Sequence, residues 1–338
     1  MKQVEAVLQG DRLALSRLLS QIENDTPAGR QALDRLFPHT GQAHLIGVTG
    51  APGTGKSSLV NQLARHYRHP EEGVPKKVAV VAVDPSSPFT GGAVLGDRIR
   101  MRDLSGDPGV FIRSMASRGS LGGLAKTTAG MVQAFDAAGF EIILIETVGA
   151  GQAEVDIARL AHTTLVVEAP GLGDDIQAIK AGILEIADIL VVNKADRPGV
   201  ESTVRALRNM LRLAHPAPRV FRHHGQIEVL PAAVEETARE PVWIPPIRKT
   251  IATEGSGIPE LAAAIARHRQ HLEKTGDLQR RERARLQSEL DYRIQETLVA
   301  HWRQSASQEK YEAVLAQVVA RKLSPAEAVA QLVNGSAP

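Results

Sequence analysis

The sequence predicts an α/β fold, with a doubly wound, mainly parallel β-sheet flanked by helices and helical additions at both ends. From residue 41 onward, short and nearly continuous apolar runs alternate with stretches of helical periodicity. This alternation is typical of parallel strands that helices cover on both faces. Before residue 41 and after Ile258, apolar residues recur at helical spacing only. We therefore predict an α/β domain over 41–262, a helical extension over 1–40 and a helical segment over 263–338.

The elements follow in chain order. Residues 1–40 place apolar side chains at helical spacing between turn residues, which predicts two or three short helices. Apolar side chains on one helical face predict a helix after residue 55 and another over 174–187. The predicted strands are HLIGVT (44–49), KVAVVAV (77–83), FEIILIE (140–146), TTLVVEA (163–169) and DILVVN (188–193).

The C-terminal segment is predicted to be helical throughout. Ser324-Pro325-Ala326-Glu327 is a capping box with proline at the first helical position. An apolar stripe with a spacing of four runs along the otherwise charged stretch 278–303, formed by Leu286, Leu290, Ile294 and Leu298. Such a stripe needs an apolar partner, which is the main domain, a second copy of the chain or another protein.

The composition excludes several classes of function. Lys and Arg total 40 against 38 for Asp and Glu, so no polybasic nucleic-acid or membrane surface is indicated. Cysteine is absent, which excludes disulfides, thiolate metal sites and catalytic thiols. Aromatic residues make up only 3%, too few for base-stacking platforms. With no signal core and no long apolar run, we expect a cytoplasmic protein that binds neither nucleic acid nor membrane.

Residues 50–57, GAPGTGKS, match the phosphate-binding loop pattern G-x-x-x-x-G-K-[ST] and lie between a predicted strand and a predicted helix. Glycines there let backbone N–H groups turn toward a phosphate at the positive end of the helix. Lys56 would neutralise the β- and γ-phosphates, and the Ser57 hydroxyl would ligate Mg²⁺. The pattern predicts a P-loop NTPase whose nucleotide contacts come from Gly50, Ala51, Pro52, Gly53, Thr54, Gly55, Lys56 and Ser57.

Asn193-Lys194-Ala195-Asp196 follows a predicted strand and indicates which base is bound. Guanine offers two adjacent donors, which the Asp196 carboxylate can accept in bidentate fashion. Adenine presents an acceptor at the ring position instead, so the carboxylate would repel it. Asn193 can tie this segment to the phosphate loop, and the Lys194 stem can lie over the base. The sequence therefore predicts GTP rather than ATP.

Magnesium needs hard oxygen ligands in addition to the phosphates. Asp84 and Glu146 each follow a predicted strand, at the edge where a doubly wound sheet binds its ligand. Asp97 lies in the glycine-rich stretch that follows the first of these strands and is the next candidate. Glu146-Thr147-Val148-Gly149 takes the place of the D-x-x-G switch of other GTPases, and the Gly149 N–H could reach a γ-phosphate.

Taken together, GAPGTGKS, VDPSSPFTGGAVLGDRIRM, SRGSLGG, IETVGAGQAE, GLGDDIQAIKAGILEIADI and NKAD resemble the MeaB/MMAA-type GTPases, also called ArgK. These are G-protein chaperones of adenosylcobalamin-dependent methylmalonyl-CoA mutase and its relatives. The resemblance covers nearly the whole chain, and its most specific parts are ETVGxGQ and DPSSPxTGGxxLGDRxRM. It implies that GTP binding and hydrolysis gate cofactor loading and protect an acyl-CoA mutase from inactivation. It also implies a homodimer through the C-terminal helices and no cobalamin bound by this chain itself.

The resemblance assigns roles to individual residues. It implies phosphate and Mg²⁺ binding by Gly53, Gly55, Lys56, Ser57 and Ser58, metal-side carboxylates at Asp84, Asp97 and Glu146, and guanine recognition by Asn193, Lys194 and Asp196. It implies switch segments over 85–108, 146–156 and 171–185. One departure is Ala150, where the family has a larger aliphatic residue, and this is expected to alter switch packing modestly.

The residue after Gly149 is Ala150, so the water-positioning glutamine of many GTPases is missing there. Gln152 lies two residues further on, and Lys180 is a candidate for stabilising the charge on the transferring phosphoryl group. We expect slow intrinsic hydrolysis, on the order of 10⁻⁴–10⁻² s⁻¹ as for unassisted GTPases, with acceleration by a partner.

Two other functions compete with this hypothesis. Metal-insertion GTPases share the loop and sheet but usually carry Cys motifs or His-rich tails, whereas here His215, His223 and His224 lack further ligands at metal spacing. The other alternative is a small-molecule kinase, which the guanine-directed NKAD segment disfavours.

Overall fold

The computed structural model describes residues 2–85, 103–104, 106–117, 123–147, 157–171, 186–214, 219–223, 226–230 and 242–334, without the side chains at 84–85, 116–117, 123–125, 214, 219–230 and 334. The chain divides into two compact units, residues 1–281 and 282–338. The predicted boundaries at residues 40 and 262 remain predictions about how the chain is organised.

The first unit is built on a parallel sheet, as predicted. Its strands are β1 (His44–Thr49), β2 (Val78–Pro85), β3 (Val110–Ser117), β4 (Ile142–Thr147), β5 (Thr163–Glu168), β6 (Ile189–Val192) and β9 (Ile247–Lys249), while β7 (Arg219–His223) and β8 (Gln226–Leu230) form a separate antiparallel pair. The seven strands lie in the order β3-β2-β4-β1-β5-β6-β9, and every pair among them is parallel. This confirms the doubly wound α/β fold.

The helices of the described chain are α1 (Lys2–Leu8), α2 (Arg12–Glu23), α3 (Pro27–Leu36), α4 (Lys56–Arg68), α5 (Gly123–Ala137), α6 (Val200–Ala214), α7 (Ile258–Lys274), α8 (Asp277–Ser305), α9 (Gln308–Val319) and α10 (Pro325–Asn334), with a 3₁₀ turn at Phe37–His39. The predicted N-terminal helices are confirmed as three short helices. Most of the helix predicted over 174–187 lies outside the described residues.

Helices cover both faces of the sheet, which explains why its central strands are buried on both sides. Alternate residues of each strand face opposite sides, so Leu45 joins the core beneath α1–α3 and α5, while Ile46 joins the core beneath α4 and α7. A third cluster lies between α6 and the outer strands β6 and β9. The strands are apolar on both faces because neither face reaches water.

The N-terminal helices are part of the first unit's core. Leu18 and Leu19 of α2 are fully buried in the same cluster as Phe135 of α5. The buried carboxylate of Asp136 accepts hydrogen bonds from the backbone N–H groups of residues 41–43, at 2.5, 3.2 and 2.9 Å. This carboxylate fixes the segment that leads from the N-terminal helices into β1.

Four strands, β3, β7, β8 and β9, were not predicted from the sequence, and neither were helices α5 and α6. In β3 the run VFIRSMAS is interrupted by Arg113, whose guanidinium is neutralised by Glu23 of α2. Strand β9 has only three residues, too short for a period-two pattern. The β7–β8 pair lies in a segment with no predicted strand.

The second unit contains the remainder of α8 together with α9 and α10. The predicted capping box is confirmed, because Glu327 N–H donates to Ser324 Oγ at 3.3 Å and Ser324 N–H donates to Glu327 Oε2 at 3.0 Å. Among the described residues of this unit, only Val314 and Ala328 are buried apolar side chains. The predicted stripe stays open to solvent in the single chain, with Leu290, Ile294 and Leu298 exposed by 58%, 46% and 63%.

Candidate functional site

The predicted site residues that the structure describes gather at the carboxyl edge of the sheet. β1 lies at its centre, between β4 and β5. The loop 50–55 follows β1, Glu146 lies near the end of β4, and the segment 193–197 follows β6. Ligands of open α/β sheets bind in the crevice outside the carboxyl ends of the strands.

The phosphate loop has a backbone shape that needs glycine at two positions. Gly50 has a φ of +139°, and a Cβ atom there would lie 2.1 Å from the Val167 carbonyl oxygen. Gly55 has a φ of +92°, and a Cβ atom there would lie 2.5 Å from Asn193 Nδ2. A larger residue at either position would push the loop away from β5 or from the base-side segment.

Lys56 is the first residue of α4 and is buried although it carries a charge. Its ammonium donates hydrogen bonds to the carbonyl oxygens of Gly50 and Ala51 at 2.8 and 3.0 Å. These bonds hold the cation against the inner side of the loop, at the positive end of α4. The arrangement can bind an anion that enters the loop.

Two oxygen ligands suited to a hard cation lie beside the loop. Ser57 Oγ donates to Glu146 Oε1 at 2.6 Å, and both side chains are buried. Val48 of β1 is the register partner of Glu146 on β4, which brings this carboxylate next to the start of α4. Ser58 lies half-buried in the same helical turn. Asp84 lies in β2 one residue past the Val83↔Thr147 pair, and its carboxylate lies outside the described atoms.

Asn193 connects three segments of the site. Its amide Nδ2 donates to the Thr54 carbonyl oxygen at 2.9 Å, on the phosphate loop. Its Oδ1 accepts from Thr250 Oγ1 and from the Ala252 N–H, both at 3.1 Å. The side chain is buried, so each of these bonds is shielded from water. Asn193 therefore ties the phosphate loop to the segment after β6, as the sequence predicts, and also to a segment after β9.

Lys194 adopts an uncommon backbone conformation, with a φ of +56°. Its ammonium donates to the Gly53 carbonyl oxygen at 2.6 Å, so its stem spans from the base-side segment to the phosphate loop. A non-glycine residue in the left-handed region costs roughly 1–2 kcal/mol, and such strain concentrates at functional sites. Asp196 is exposed in the turn that follows, where its carboxylate is open to a ligand.

The segment 250–257 is the part of the site that sequence reasoning missed. Ala195 N–H donates to the Thr250 carbonyl oxygen at 3.0 Å, and Ile251 N–H donates to the Ser256 carbonyl oxygen at 3.0 Å. These bonds fold the segment into a turn beside Asn193 and Asp196. The only signal for it in the sequence is the pair Gly255 and Gly257 just before the predicted helical segment.

Several predicted site residues cannot be placed. Asp97, Gly149, Gln152 and Lys180 lie outside the described residues, as do the departure Ala150, His215 and His224. His223 ends β7 without a described side chain. Among the residues with described side chains, no group of three or more His, Asp or Glu could hold a metal ion. No helix in the described part of the chain is long and apolar enough to cross a membrane.

Comparisons with known proteins agree with this geometry. Residues 15–307 match the family described as methylmalonyl Co-A mutase-associated GTPase MeaB. GTPase ArgK of Escherichia coli is 34% identical over 280 residues, which cover 82% of this chain and 78% of that protein. The mitochondrial methylmalonic aciduria type A homolog of Caenorhabditis elegans is 30% identical over 294 residues, covering 83% and 68% of the two chains.

A protein of Pyrococcus abyssi whose name assigns it to the GTPases is 42% identical over 322 residues, 95% of this chain and 92% of that one. The crystal structure of a LAO/AO transport system kinase superposes with a TM-score of 0.68 at 26% identity, covering 98% and 96% of the two chains. The family match includes the phosphate loop, the ETVG segment and the NKAD segment, and GTP and GDP are the nucleotides of that family. The chain belongs to the MeaB family of P-loop GTPases and is a relative of ArgK and of the methylmalonic aciduria type A proteins.

Proposed function

We propose that this GTPase cleaves GTP with the residues gathered at the carboxyl edge and uses the nucleotide cycle to assist an adenosylcobalamin-dependent acyl-CoA mutase. The observation that carries the first part is Asn193, which joins the phosphate loop, the NKAD segment and the 250–257 turn through hydrogen bonds of 2.9–3.1 Å. A phosphate chain bound at the loop and a base bound at the NKAD segment would therefore lie on either side of Asn193, as two parts of one nucleotide.

The phosphates are bound by the loop residues Gly50, Ala51, Pro52, Gly53, Thr54 and Gly55, together with Lys56, Ser57 and Ser58. The ammonium of Lys56 would exchange its bonds to loop carbonyls for bonds to the β- and γ-phosphates. A buried cation there stabilises the charge that shifts toward the leaving oxygen during cleavage.

Mg²⁺ is the expected metal because the two side chains beside the loop offer hard oxygen atoms. Ser57 Oγ and Glu146 Oε1 lie 2.6 Å apart, so a small cation could be held by both after the hydroxyl proton turns away. Asp84 and Asp97 complete the proposed set of metal-side carboxylates. When bound, the metal neutralises phosphate oxygens and positions them for attack by water.

Water attack has no assigned base in the described residues. We propose that Gln152 orients the attacking water, that the Gly149 N–H binds the γ-phosphate, and that Lys180 stabilises the charge on the transferring phosphoryl group. Because these three residues lie in the predicted switch segments, ordering by a partner would raise the rate. Purified protein alone is then expected to turn over on the order of 10⁻⁴–10⁻² s⁻¹, and tens of turnovers per second would contradict partner activation.

The mutase is proposed from the family and from a relative. The matching family is described as mutase-associated, and a mitochondrial relative is named for methylmalonic aciduria. We propose that the chain gates cofactor loading of methylmalonyl-CoA mutase or a related enzyme in the cytoplasm and binds no cobalamin itself. The γ-phosphate would hold the switch segments in one arrangement, and hydrolysis would release them.

Co-purification tests this role. The tagged protein is mixed with methylmalonyl-CoA mutase in the presence of GDP or of a non-hydrolysable GTP analogue, and the bound mutase is quantified. We expect binding that depends on the nucleotide, together with faster GTP turnover when mutase is added. Absence of binding in both nucleotide states, with GTP turnover intact, would remove the chaperone role and leave the GTPase.

We also propose a homodimer through the second unit. Its exposed stripe of Leu290, Ile294 and Leu298 lies in a unit with almost no core of its own, and burying such side chains contributes roughly 1.5–3 kcal/mol each. Light scattering after size exclusion would give a dimer for the natural chain and a monomer for Ile294→Lys with Leu298→Lys. A control with Leu13→Lys, an exposed position on α2, is expected to remain dimeric.

A further inference from the structure

A second concentration of polar groups lies at the opposite, amino edge of the sheet, and nucleotide binding makes no use of it. We call it the amino-edge cluster. It consists of His44, His162, Thr163, Asp188, His268 and Arg281. His44 and Thr163 begin β1 and β5, and Asp188 directly precedes β6; β1 and β6 lead into the phosphate loop and the base-side segment at their other ends.

A continuous chain of hydrogen-bonding groups runs through the cluster. His44 Nε2 lies 2.8 Å from Thr163 Oγ1, which lies 2.9 Å from His268 Nδ1. His268 Nε2 in turn faces Asp188 Oδ1 at 3.3 Å. If His268 carries its proton on Nε2, that proton faces the carboxylate and Nδ1 accepts from the Thr163 hydroxyl. The opposite direction would place a bare ring nitrogen against the carboxylate, so the first assignment is favoured.

The carboxylate of Asp188 interacts both with this row of hydrogen-bonding groups and with Arg281 of helix α8. Arg281 donates to its two oxygens at 2.8 and 2.9 Å and to the His162 carbonyl oxygen at 3.0 Å. The backbone N–H of Thr164 adds a bond to Asp188 Oδ2 at 2.8 Å. Burial opposes ionisation, but bonds from His268 and Arg281 outweigh it and hold the pKa of Asp188 below its ordinary value.

Asp188 is the one carboxylate of the amino-edge cluster, and its charge is already neutralised by Arg281. Arg269 of α7 lies beside His162 and is paired with Glu273, and Lys76 and His271 are the other titratable groups nearby on the loop before β2 and on α7. Asp277 adds a weaker attraction on Arg281 from the same helix. One added proton would therefore leave a net positive charge in a site shielded from water.

Arg281 is the cation that can leave. Its side chain is 35% exposed, whereas Asp188 is 9% exposed and His268 is fully buried. We propose that acidification transfers a proton to His268, which then neutralises Asp188 in place of Arg281, and so releases the first turn of α8 from the sheet. His44 stays neutral, because burial and the neighbouring His162, Arg269, His268 and Lys76 hold its pKa well below 6.5.

Hydrogen exchange of amides over 277–285 at about pH 7.5 and about pH 5.5, corrected for the intrinsic pH dependence, tests the release. We expect opening to increase about tenfold at the lower pH, because the opened state would bind one proton more than the closed state. His268→Gln retains a hydrogen-bonding side chain without a charge and is expected to abolish this pH dependence. Arg281→Ala is expected to exchange rapidly at both pH values.

The chain offers a matched control one turn along the same helix. His271→Gln removes a histidine that contacts Trp243 but not Asp188, so the pH dependence should persist. His44→Gln should also leave it in place. Equal opening over 277–285 at the two pH values would contradict the proposed release of α8. So would the same pH dependence of hydrogen exchange in His268→Gln and His271→Gln.

Trp243 provides a second readout that does not require a folded His268 variant. Its ring centroid lies 4.8 Å from that of His268, and its Nε1 donates to the Asp188 carbonyl oxygen at 2.7 Å. With Trp302→Phe and His271→Gln, emission comes from Trp243 alone. Because a protonated imidazole quenches indole emission more than a neutral one, we expect emission to fall between about pH 7.5 and about pH 5.5. Constant emission would overturn proton uptake by His268.

Discussion

The carboxyl and amino edges of the sheet both bury charged side chains, but they neutralise them differently. At the carboxyl edge, Lys56 donates to two backbone carbonyl oxygens of a glycine-rich loop. At the amino edge, Asp188 is held by Arg281, by a backbone N–H and by the nearby His268. Carbonyl dipoles can be exchanged for the phosphates of a ligand, whereas the buried carboxylate of Asp188 must keep a cation beside it and can release Arg281 only when another cation takes its place. Changes at the first edge should therefore affect GTP, and changes at the second should affect folding.

The largest expected effect is that of Lys56→Ala. Loss of this cation should lower kcat by up to about 10³–10⁵-fold, the contribution that an arginine finger makes to phosphoryl transfer. Thermal unfolding of the variant is measured alongside, to separate this loss from any effect of losing the two hydrogen bonds to the Gly50 and Ala51 carbonyl oxygens. GTP turnover in single-turnover conditions measures the loss, and Lys274→Ala, an exposed lysine at the end of α7, is the control. A variant that retains half of the natural rate would contradict the role of Lys56.

Asp196→Asn tests the base-side part of the same edge. The carboxylate would lose two charge-assisted hydrogen bonds to guanine, and GTP affinity should fall by about 10²–10⁴-fold. Xanthosine triphosphate should bind the variant better than GTP does, because xanthine has a carbonyl where guanine has an amino group. Calorimetric titration with GTP and with xanthosine triphosphate measures the affinity of the variant for each nucleotide. Asp291→Asn on the exposed face of α8 should leave both affinities unchanged.

Asp188→Ala tests the other edge. It leaves the buried Thr164 N–H without its acceptor and Arg281 without its partner, and because Arg281 is 35% exposed and can reach water, we expect a loss of about 2–3 kcal/mol of unfolding free energy. Urea denaturation followed by circular dichroism should show this loss, while GTP affinity of the folded protein stays within about twofold since the change lies at the far end of the strands. Asp34→Ala, at an exposed position of α3, should change neither quantity. A large loss of GTP affinity would show that the two edges are not independent.

The segments at the carboxyl edge could be predicted from the sequence because they are contiguous motifs. GAPGTGKS and NKAD each place several functional groups within eight residues, and strand ends fix where such segments meet. The 250–257 turn was missed because it acts through the Thr250 hydroxyl and the Ala252 backbone N–H, which leave no motif in one sequence. The switch roles of Asp97, Gln152 and Lys180 remain predictions.

The amino edge could not be predicted, because its partners are far apart in the chain. His44 and Thr163 are 119 residues apart, and Thr163 and His268 are 105 residues apart. Nothing in the local pattern of DILVVN indicates that Asp188 faces Arg281 of a helix 93 residues later. The stretch Arg280–Arg285 is typical of a solvated helix face, and only the tertiary fold shows that Arg281 pairs with the buried Asp188.

The smallest expected effect is the pH dependence of folding, to which His44 contributes. Burial, followed by His162, Arg269, His268 and Lys76, lowers the pKa of His44 well below 6.5 in the folded chain. The unfolded chain therefore binds an extra proton below pH 6.5, and each pH unit below it removes up to about 1.4 kcal/mol of stability. Above pH 6.5 both states are neutral at this position and the contribution is constant.

Urea midpoints between about pH 5 and pH 8 measure this dependence. His44→Gln should flatten it, because glutamine can still bond to Thr163 Oγ1 but does not titrate, whereas His39→Gln, at an exposed position, should leave it unchanged. The lowered pKa of Asp188 contributes only nearer its ordinary value of 3.8, where its stabilisation is lost as the pH falls. If the urea midpoints of the natural chain and of His44→Gln change equally with pH above pH 5, the acid sensitivity belongs to another group. Burial of His44 as a neutral side chain would then not contribute to the pH dependence of folding.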